Sequence, residues 1–169
     1  MKKLILLIAA LLALMLFLPA WMSLPQEKQK IPQFRITEAY LCNVQGSQWT
    51  EREGSSYIAG ELVFVYIVNE NPIVIENDLG KHNWLTADVR LIDQNDKVWF
   101  DRKVYDEKYY LKPDDEIVRF YLFYSLWTAH PGLKLPLGNY KLTFDVKDKY
   151  SGMSDSISVS FSIISYTEI

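Results

Sequence analysis

The sequence predicts an all-β protein, an antiparallel sandwich of two sheets and about seven strands. Three observations lead to this fold class. Apolar side chains recur at every second position, aromatic residues make up 14% of the chain, and segments rich in Gly, Asn and Asp separate the alternating stretches. Period-two alternation is typical of strands with one buried face, and aromatic residues favour strands. A closed barrel is the main alternative for the same strands.

Alternation is clearest near the C-terminus. Residues 140–147 carry an apolar side chain at every second position, and residues 156–163 alternate apolar residues with serines. The segment 148–152 between them contains Gly152, a residue type that permits the backbone of a tight turn. These features predict a β-hairpin with one buried and one wet face, and they place Phe144 in the core.

Other segments follow the same pattern and predict strands at residues 34–43, 57–69, 84–93, 98–104 and 116–127. Residues 62–68 are apolar on both faces, which indicates a central strand or one whose second face is covered. Pro72 interrupts the pattern, and residues 73–75 are expected to form a short edge strand. Beyond residue 30 we find no helical period.

The sequence LGNYKLTF at 137–144, followed by Asp148 and Gly152, resembles the last hairpin of immunoglobulin-like and fibronectin-type-III-like domains of exported prokaryotic proteins. The resemblance implies that Tyr140 is a tyrosine-corner residue at the start of the penultimate strand. It also gives Gly138 a structural role. The paired cysteines of antibody domains are missing. Such domains serve as adhesins, spacers, carbohydrate binders and assembly modules, so the likeness concerns architecture and does not select a function.

The N-terminus has the pattern of an export segment. Lys2 and Lys3 precede an apolar run at residues 4–24, which is about long enough to span a bilayer. Cleavage after Ala20 would place a leucine at the −3 position, which suits signal peptidase poorly, so a cleaved signal peptide and an uncleaved transmembrane anchor both stay open. We expect residues 1–24 to be this segment, 25–33 a linker and 34–169 the domain, membrane-anchored or secreted outside the cytoplasm.

Composition excludes several function classes. Without Lys2 and Lys3 the basic side chains number 16 against 21 acidic ones, a net charge of −5, which argues against nucleic-acid binding. The single cysteine, Cys42, allows no intramolecular disulfide. No glycine-rich phosphate loop is present, so we expect no nucleotide and no cofactor.

No catalytic or metal-binding motif stands out. His82 and His130 lie in segments that look like solvated loops, without a GxSxG or HExxH pattern. Acidic residues recur at turns, at 93–96, 114–116 and 145–148. Ca²⁺ binding by these carboxylates is one interpretation; turn formation, in which Asp bonds nearby backbone N–H groups, is the other. We predict neither a catalytic residue nor a metal ligand.

Aromatic residues at outward positions are the one feature above background. In the predicted strand 116–127, Tyr121, Phe123 and Trp127 fall opposite the core, while Trp84 and Trp99 lie near strand ends. These five are the predicted binding residues. The leading hypothesis is a non-enzymatic module that binds a protein partner of the cell envelope. The alternatives are a carbohydrate-binding module and a small hydrolase with an unrecognised site.

Overall fold

The computed structural model describes residues 33–112 and 119–168 of the chain, and within them ten strands form two sheets. The strands are β1 Arg35–Gln45, β2 Gln48–Glu51, β3 Ser56–Ile58, β4 Phe64–Glu70, β5 Ile75–Asn77, β6 Gly80–Asp93, β7 Val98–Tyr110, β8 Arg119–Ser125, β9 Gly138–Asp148 and β10 Ser154–Ile164. The prediction of an all-β fold with two sheets is confirmed.

The four-stranded sheet has the order β2-β1-β4-β8, with every pairing antiparallel. In β4 the side chains of Val65 and Ile67 point into the core between the sheets, while those of Phe64, Tyr66 and Val68 lie on the outer face. The unbroken apolar run therefore reflects a central strand whose two faces both carry apolar side chains.

The six-stranded sheet has the order β3-β10-β9-β6-β5, and β7 also pairs with β6. Between Leu85 and Leu91 of β6 every odd-numbered residue is buried, with Leu85, Val89 and Leu91 fully enclosed. In the hairpin of β9 and β10, Phe144 is opposite Ile157, and its side chain is buried. Strands β9 and β10 each have one apolar face, which packs against the four-stranded sheet, and one polar face.

The turn between β9 and β10 is organised by Asp148, which is fully buried. Its carboxylate accepts hydrogen bonds from the backbone N–H of Tyr150 at 2.9 Å and from that of Ile73 at 2.8 Å. The second bond ties the segment before β5 to this turn. Gly152 has φ +74°, a conformation that side-chain-bearing residues rarely adopt.

At the opposite end of β9, the hydroxyl of Tyr140 donates a hydrogen bond of 2.7 Å to the carbonyl of Pro136. Gly138 opens the strand with φ +147°. The ring of Tyr140 is buried and stacks on Phe161 with centroids 5.5 Å apart. The hydroxyl and the ring of Tyr140 together hold the segment that leads into β9 against the core.

The predicted single strand at 57–69 is wrong. The chain forms β3, which pairs in parallel with β10, turns at Gly60, and enters β4 in the other sheet. Gly60 has φ +92°, and the N–H of Glu61 donates to the carbonyl of Ile58 at 2.8 Å. A turn of this kind allows the chain to change sheets within an otherwise apolar segment.

The predicted strand at 116–127 is too long at its C-terminal end; residues 116–118 lie outside the part that the structure describes. Strand β8 ends at Ser125, and a single-turn helix, α1 (Leu126–Ala129), follows. The Ser125 hydroxyl accepts a hydrogen bond from the N–H of Thr128, which caps the helix. Periodicity cannot distinguish strand from helix in so short an apolar stretch.

Strand β2 was not predicted, and the short edge strand predicted at 73–75 lies at Ile75–Asn77. Strand β6 begins at Gly80 rather than at residue 84, and β7 continues to Tyr110 rather than ending at residue 104. A 3₁₀ turn at Tyr166–Glu168 follows the last strand. The predicted export or anchor segment lies outside the described residues. Among those that are described, no helix combines the length and the apolar character needed to cross a membrane.

Candidate functional site

The outer face of the four-stranded sheet carries a group of aromatic side chains, one or two from each strand. We call this group the aromatic layer. Its members are Tyr40 of β1, Trp49 of β2, Phe64 and Tyr66 of β4, and Tyr121 and Phe123 of β8. On β1, β4 and β8 the layer results from the period-two rule, because each of its residues there alternates with a neighbour that packs in the core.

The rings of the aromatic layer stack on one another. Trp49 lies 3.9 Å from Tyr66 between ring centroids, Tyr66 lies 5.3 Å from Tyr121, and both pairs are tilted by 27°. Phe64 and Phe123 form a third stacked pair, with ring centroids 5.4 Å apart and the same tilt of 27°. In all three pairs the rings face each other rather than meeting edge to face. Tyr66 is buried because a ring covers it on each side.

Exposure is concentrated at the two margins of the layer. Tyr121 and Phe123 are each 49% exposed on β8, and Trp49 is 40% exposed on β2. At one end the layer meets charged side chains: the carboxylate of Glu70 accepts hydrogen bonds from Arg35 at 2.7 Å and Arg119 at 3.1 Å. An apolar centre with a polar rim is the usual anatomy of a binding surface.

Beneath the rings, Cys42 and Val68 are almost completely buried. Burial raises the pKa of the Cys42 thiol to about 11, so the group stays protonated near neutral pH. A nucleophilic cysteine needs an accessible thiolate. Cys42 therefore acts as a small apolar side chain that supports the aromatic layer.

The structure separates the five predicted binding residues. Tyr121 and Phe123 belong to the aromatic layer, whereas Trp127 lies on helix α1 and donates from Nε1 to the Glu61 carbonyl at 2.8 Å. The sequence had predicted that Trp127 shares a face with Tyr121 and Phe123. This prediction is wrong, because β8 ends two residues before Trp127.

Trp84 and Trp99 also lie away from the layer, on the six-stranded sheet. Trp84 of β6 donates from Nε1 to Asp106 at 2.8 Å, and the Nζ atoms of two lysines lie 5.2 Å from its ring. Trp99 of β7 donates to Asp93 at 3.2 Å and contacts Tyr140. Both indoles are therefore half-buried members of polar clusters.

Sequence reasoning missed Trp49, although a signal was present. The dipeptide Gly46-Ser47 is typical of a two-residue hairpin loop, and Gly46 has φ +62°. Gln45 and Gln48 face each other across that turn, which brings Trp49 opposite Val44. Tyr40, Phe64 and Tyr66 were predicted to lie in strands but were not assigned to a surface.

Both histidines are buried, contrary to the prediction of solvated loops. His82 lies in β6, where Nδ1–H donates to the Gly80 carbonyl and Nε2 accepts from the Tyr150 hydroxyl at 2.7 Å. These two bonds use both ring nitrogens, so His82 is a structural residue of the core edge.

His130 follows helix α1 and stacks on Phe100, with ring centroids 3.6 Å apart. Its Nδ1 accepts a hydrogen bond from Arg102, whose guanidinium also donates to the Ala129 carbonyl. Burial, and secondly the charge of Arg102, lower the pKa of His130 from 6.5 to about 4. The ring is therefore neutral at physiological pH. Across the described ranges, no group of three or more His, Cys, Asp or Glu residues is placed to hold a metal ion.

A concavity of about 590 Å³ lies beside helix α1 and β3. Its walls are mostly apolar and include Leu62, Trp127, Leu133, Leu135 and Ile163. Lys134 is the single charged residue of the lining. Active sites ordinarily combine a pocket with several converging polar groups, and this concavity has an apolar lining instead.

Fold and surface together define the class of this chain: an all-β, two-sheet protein with an exposed aromatic face. No family model matches the sequence, and neither does any curated protein. A solved structure of Bacteroides uniformis β-glucuronidase 2 covalently bound to cyclophellitol-6-carboxylate aziridine is similar with a TM-score of 0.44 and 8% identity. That similarity covers 79% of this chain and 15% of the other.

The sporulation control protein Spo0M from Bacillus subtilis is similar with a TM-score of 0.40 and 12% identity, over 80% of this chain and 51% of that protein. This chain therefore spans about half of Spo0M and a small part of the glucuronidase. Neither TM-score reaches 0.5, so neither similarity carries an argument about function.

Proposed function

We propose that the chain is a non-enzymatic binding module of the cell envelope that holds a protein partner against its aromatic layer. In this proposal residues 1–24 export or anchor the chain, and the domain works outside the cytoplasm. The observation that carries the proposal is the exposure of Tyr121, Phe123 and Trp49 within one continuous apolar surface. Large exposed aromatic surfaces with a polar rim are characteristic of interaction sites.

The position of β8 supports a protein partner. Within the described ranges β8 pairs with β4 alone and forms one margin of its sheet. A margin strand presents backbone N–H and C=O groups that a segment of another protein can pair with. Tyr121 and Phe123 would then pack beside the side chains of the added segment.

The arrangement of the rings also favours protein over sugar. A sugar-binding platform presents ring faces to the ligand, whereas in the stack of Trp49, Tyr66 and Tyr121 neighbouring faces cover one another. Within this stack only the outward faces of the end rings, Trp49 and Tyr121, have no stacking neighbour. The rest of the stack offers ring edges and tyrosine hydroxyls, which suit the mixed apolar and hydrogen-bonding surface of a protein.

The immunoglobulin-like topology is part of the same proposal. The bond from the Tyr140 hydroxyl to the Pro136 carbonyl has the character of a tyrosine corner, and the antiparallel pairing of β9 with β10 and β6 suits such a sandwich. Domains of this architecture commonly act through surfaces on their sheets and loops.

Affinity capture from the host envelope tests the function. The full-length chain and a Tyr121→Ser/Phe123→Ser double variant are extracted in non-ionic detergent, and bound proteins and glycans are both identified. We expect a protein that the wild type retains and the double variant loses. Tyr166→Ser is the matched control, because Tyr166 is 80% exposed and lies outside the layer. Retention of the same proteins by the double variant, or of glycans alone by the wild type, would contradict the proposal.

A further inference from the structure

A cleft of about 550 Å³ lies beside the aromatic layer and shares two of its rings. Tyr40 and Trp49 supply aromatic walls, with ring centroids 5.9 Å apart and planes tilted by 36°. Glu38 of β1 and Glu51 of β2 place carboxylates in the same lining, which Thr37, Ala39 and Ile157 complete. The cleft thus combines aromatic rings with two negative charges.

Both carboxylates are available to a ligand. Glu38 and Glu51 are exposed, no lining residue is basic, and within the described ranges neither carboxylate is in an ion pair. The pKa of the Tyr40 hydroxyl is raised, first by burial and then by the negative charges of Glu38 and Glu51. The two carboxylates therefore act electrostatically on the Tyr40 side chain. The cleft therefore carries two negative charges directly beside the aromatic layer.

We propose that this cleft receives an arginine side chain of the protein partner that docks on the aromatic layer. The inference rests on the proposed function and specifies the chemistry of the partner. A guanidinium ion stacks on aromatic rings and pairs with carboxylates in the same plane, which is the combination that Tyr40, Trp49, Glu38 and Glu51 offer. The cleft is continuous with the layer through Trp49, so one partner segment reaches both.

A metal ion fits the cleft less well than an organic cation. Ca²⁺ takes six to eight oxygen ligands, whereas this lining contributes two carboxylates together with two aromatic rings. Aromatic rings attract organic cations through their negative faces. The ring content therefore selects an arginine over a hard cation.

Titration with a defined probe tests the inference. Nα-acetyl-arginine methylamide is added to the full-length chain in non-ionic detergent, and the indole N–H resonance of Trp49, assigned with a Trp49→Phe variant, is followed by NMR. The neutral isostere Nα-acetyl-citrulline methylamide is the matched ligand control. We expect saturable shifts with the arginine probe and at least about tenfold weaker binding of the citrulline probe. Added salt should weaken the arginine complex.

Two variants locate the site. Glu38→Gln/Glu51→Gln should weaken the arginine probe at least about fivefold, while Glu53→Gln, an exposed carboxylate outside the cleft lining, should leave binding unchanged. Equal binding of arginine and citrulline, or full binding to the double Gln variant, would overturn the inference. If the probe fails while capture still depends on Tyr121 and Phe123, only the arginine inference is refuted. If capture is insensitive to Tyr121 and Phe123, the proposed function is refuted.

Discussion

Trp49 stacks on Tyr66 across the intervening strand β1, with ring centroids 3.9 Å apart. The contact joins the first strand of the four-stranded sheet to the third. It explains why Tyr66 is buried although no second sheet of the described residues covers this face. Through this contact the four-residue strand β2 contributes to the stability of the sheet. The same contact holds Trp49 at the border between the aromatic layer and the acidic cleft.

Truncating Trp49 should destabilise the domain more than an exposed position would suggest. We expect Trp49→Ala to lower the free energy of unfolding by about 1–3 kcal/mol, because an aromatic pair and the burial of Tyr66 are both lost. Trp49→Phe should retain most of the stability. Urea denaturation followed by far-UV circular dichroism measures both. Equal midpoints for Trp49→Ala and the wild type would show that the stack contributes nothing.

The hydroxyl of Tyr140 should contribute through its bond to the Pro136 carbonyl. Removing it in Tyr140→Phe is expected to cost about 1 kcal/mol of unfolding free energy, the usual contribution of one intramolecular hydrogen bond. Tyr166→Phe removes a hydroxyl from an exposed ring and should be neutral. A neutral Tyr140→Phe in the same denaturation series would count against a structural role for this bond.

Phe144 should be among the most sensitive core positions. It is 1% exposed and forms a T-shaped pair with Tyr124, with ring centroids 5.3 Å apart. Phe144→Ala leaves a cavity between the sheets and should cost roughly 3–5 kcal/mol. Phe144→Leu, which keeps most of the volume, should cost less. Calorimetry reports the change as a lower Tm, and an unchanged Tm would refute the core placement.

Stability should fall in mild acid because of His130. Its pKa is lowered to about 4 in the folded protein, whereas the unfolded chain has the ordinary value of 6.5. The unfolded state therefore takes up a proton first, and the contribution is complete above pH 6.5 and is lost as the pH falls toward 4. Between pH 7 and pH 5 the loss is about 2 kcal/mol.

The variant His130→Gln isolates this effect, since it cannot titrate in that range. The difference in unfolding free energy between the wild type and the variant, measured with urea at pH 7 and pH 5, should shift by about 2 kcal/mol against the wild type at the lower pH. A difference that is the same at both pH values would show that His130 titrates normally.

Local alternation sufficed for the strands that pack on one face. In β9 and β10 the polar and apolar positions of the sequence match the wet and dry faces of the sheet, so Phe144 could be placed in the core beforehand. The turn at Gly152 could also be predicted, because its positive φ is a conformation that glycine adopts readily.

The features that the sequence did not reveal depend on distant partners. The turn at Gly60 lies in an apolar segment that reads as one strand, and the switch of sheets is decided by the pairing of β3 with β10. His82 and His130 are buried beside partners that are far away in the sequence: the Tyr150 hydroxyl bonds Nε2 of His82, and Arg102 bonds Nδ1 of His130. Trp49 joins the aromatic layer through the register of the β1–β2 hairpin.

Site-specific photo-cross-linking measures most directly whether the aromatic layer is a protein-binding face. A benzoylphenylalanine is introduced at position 123 of the full-length chain in intact host cells, and a second chain carries it at position 166. Irradiation should produce a defined adduct with another polypeptide from position 123 and none from position 166. No adduct at 123, or equal adducts from both positions, would contradict the account.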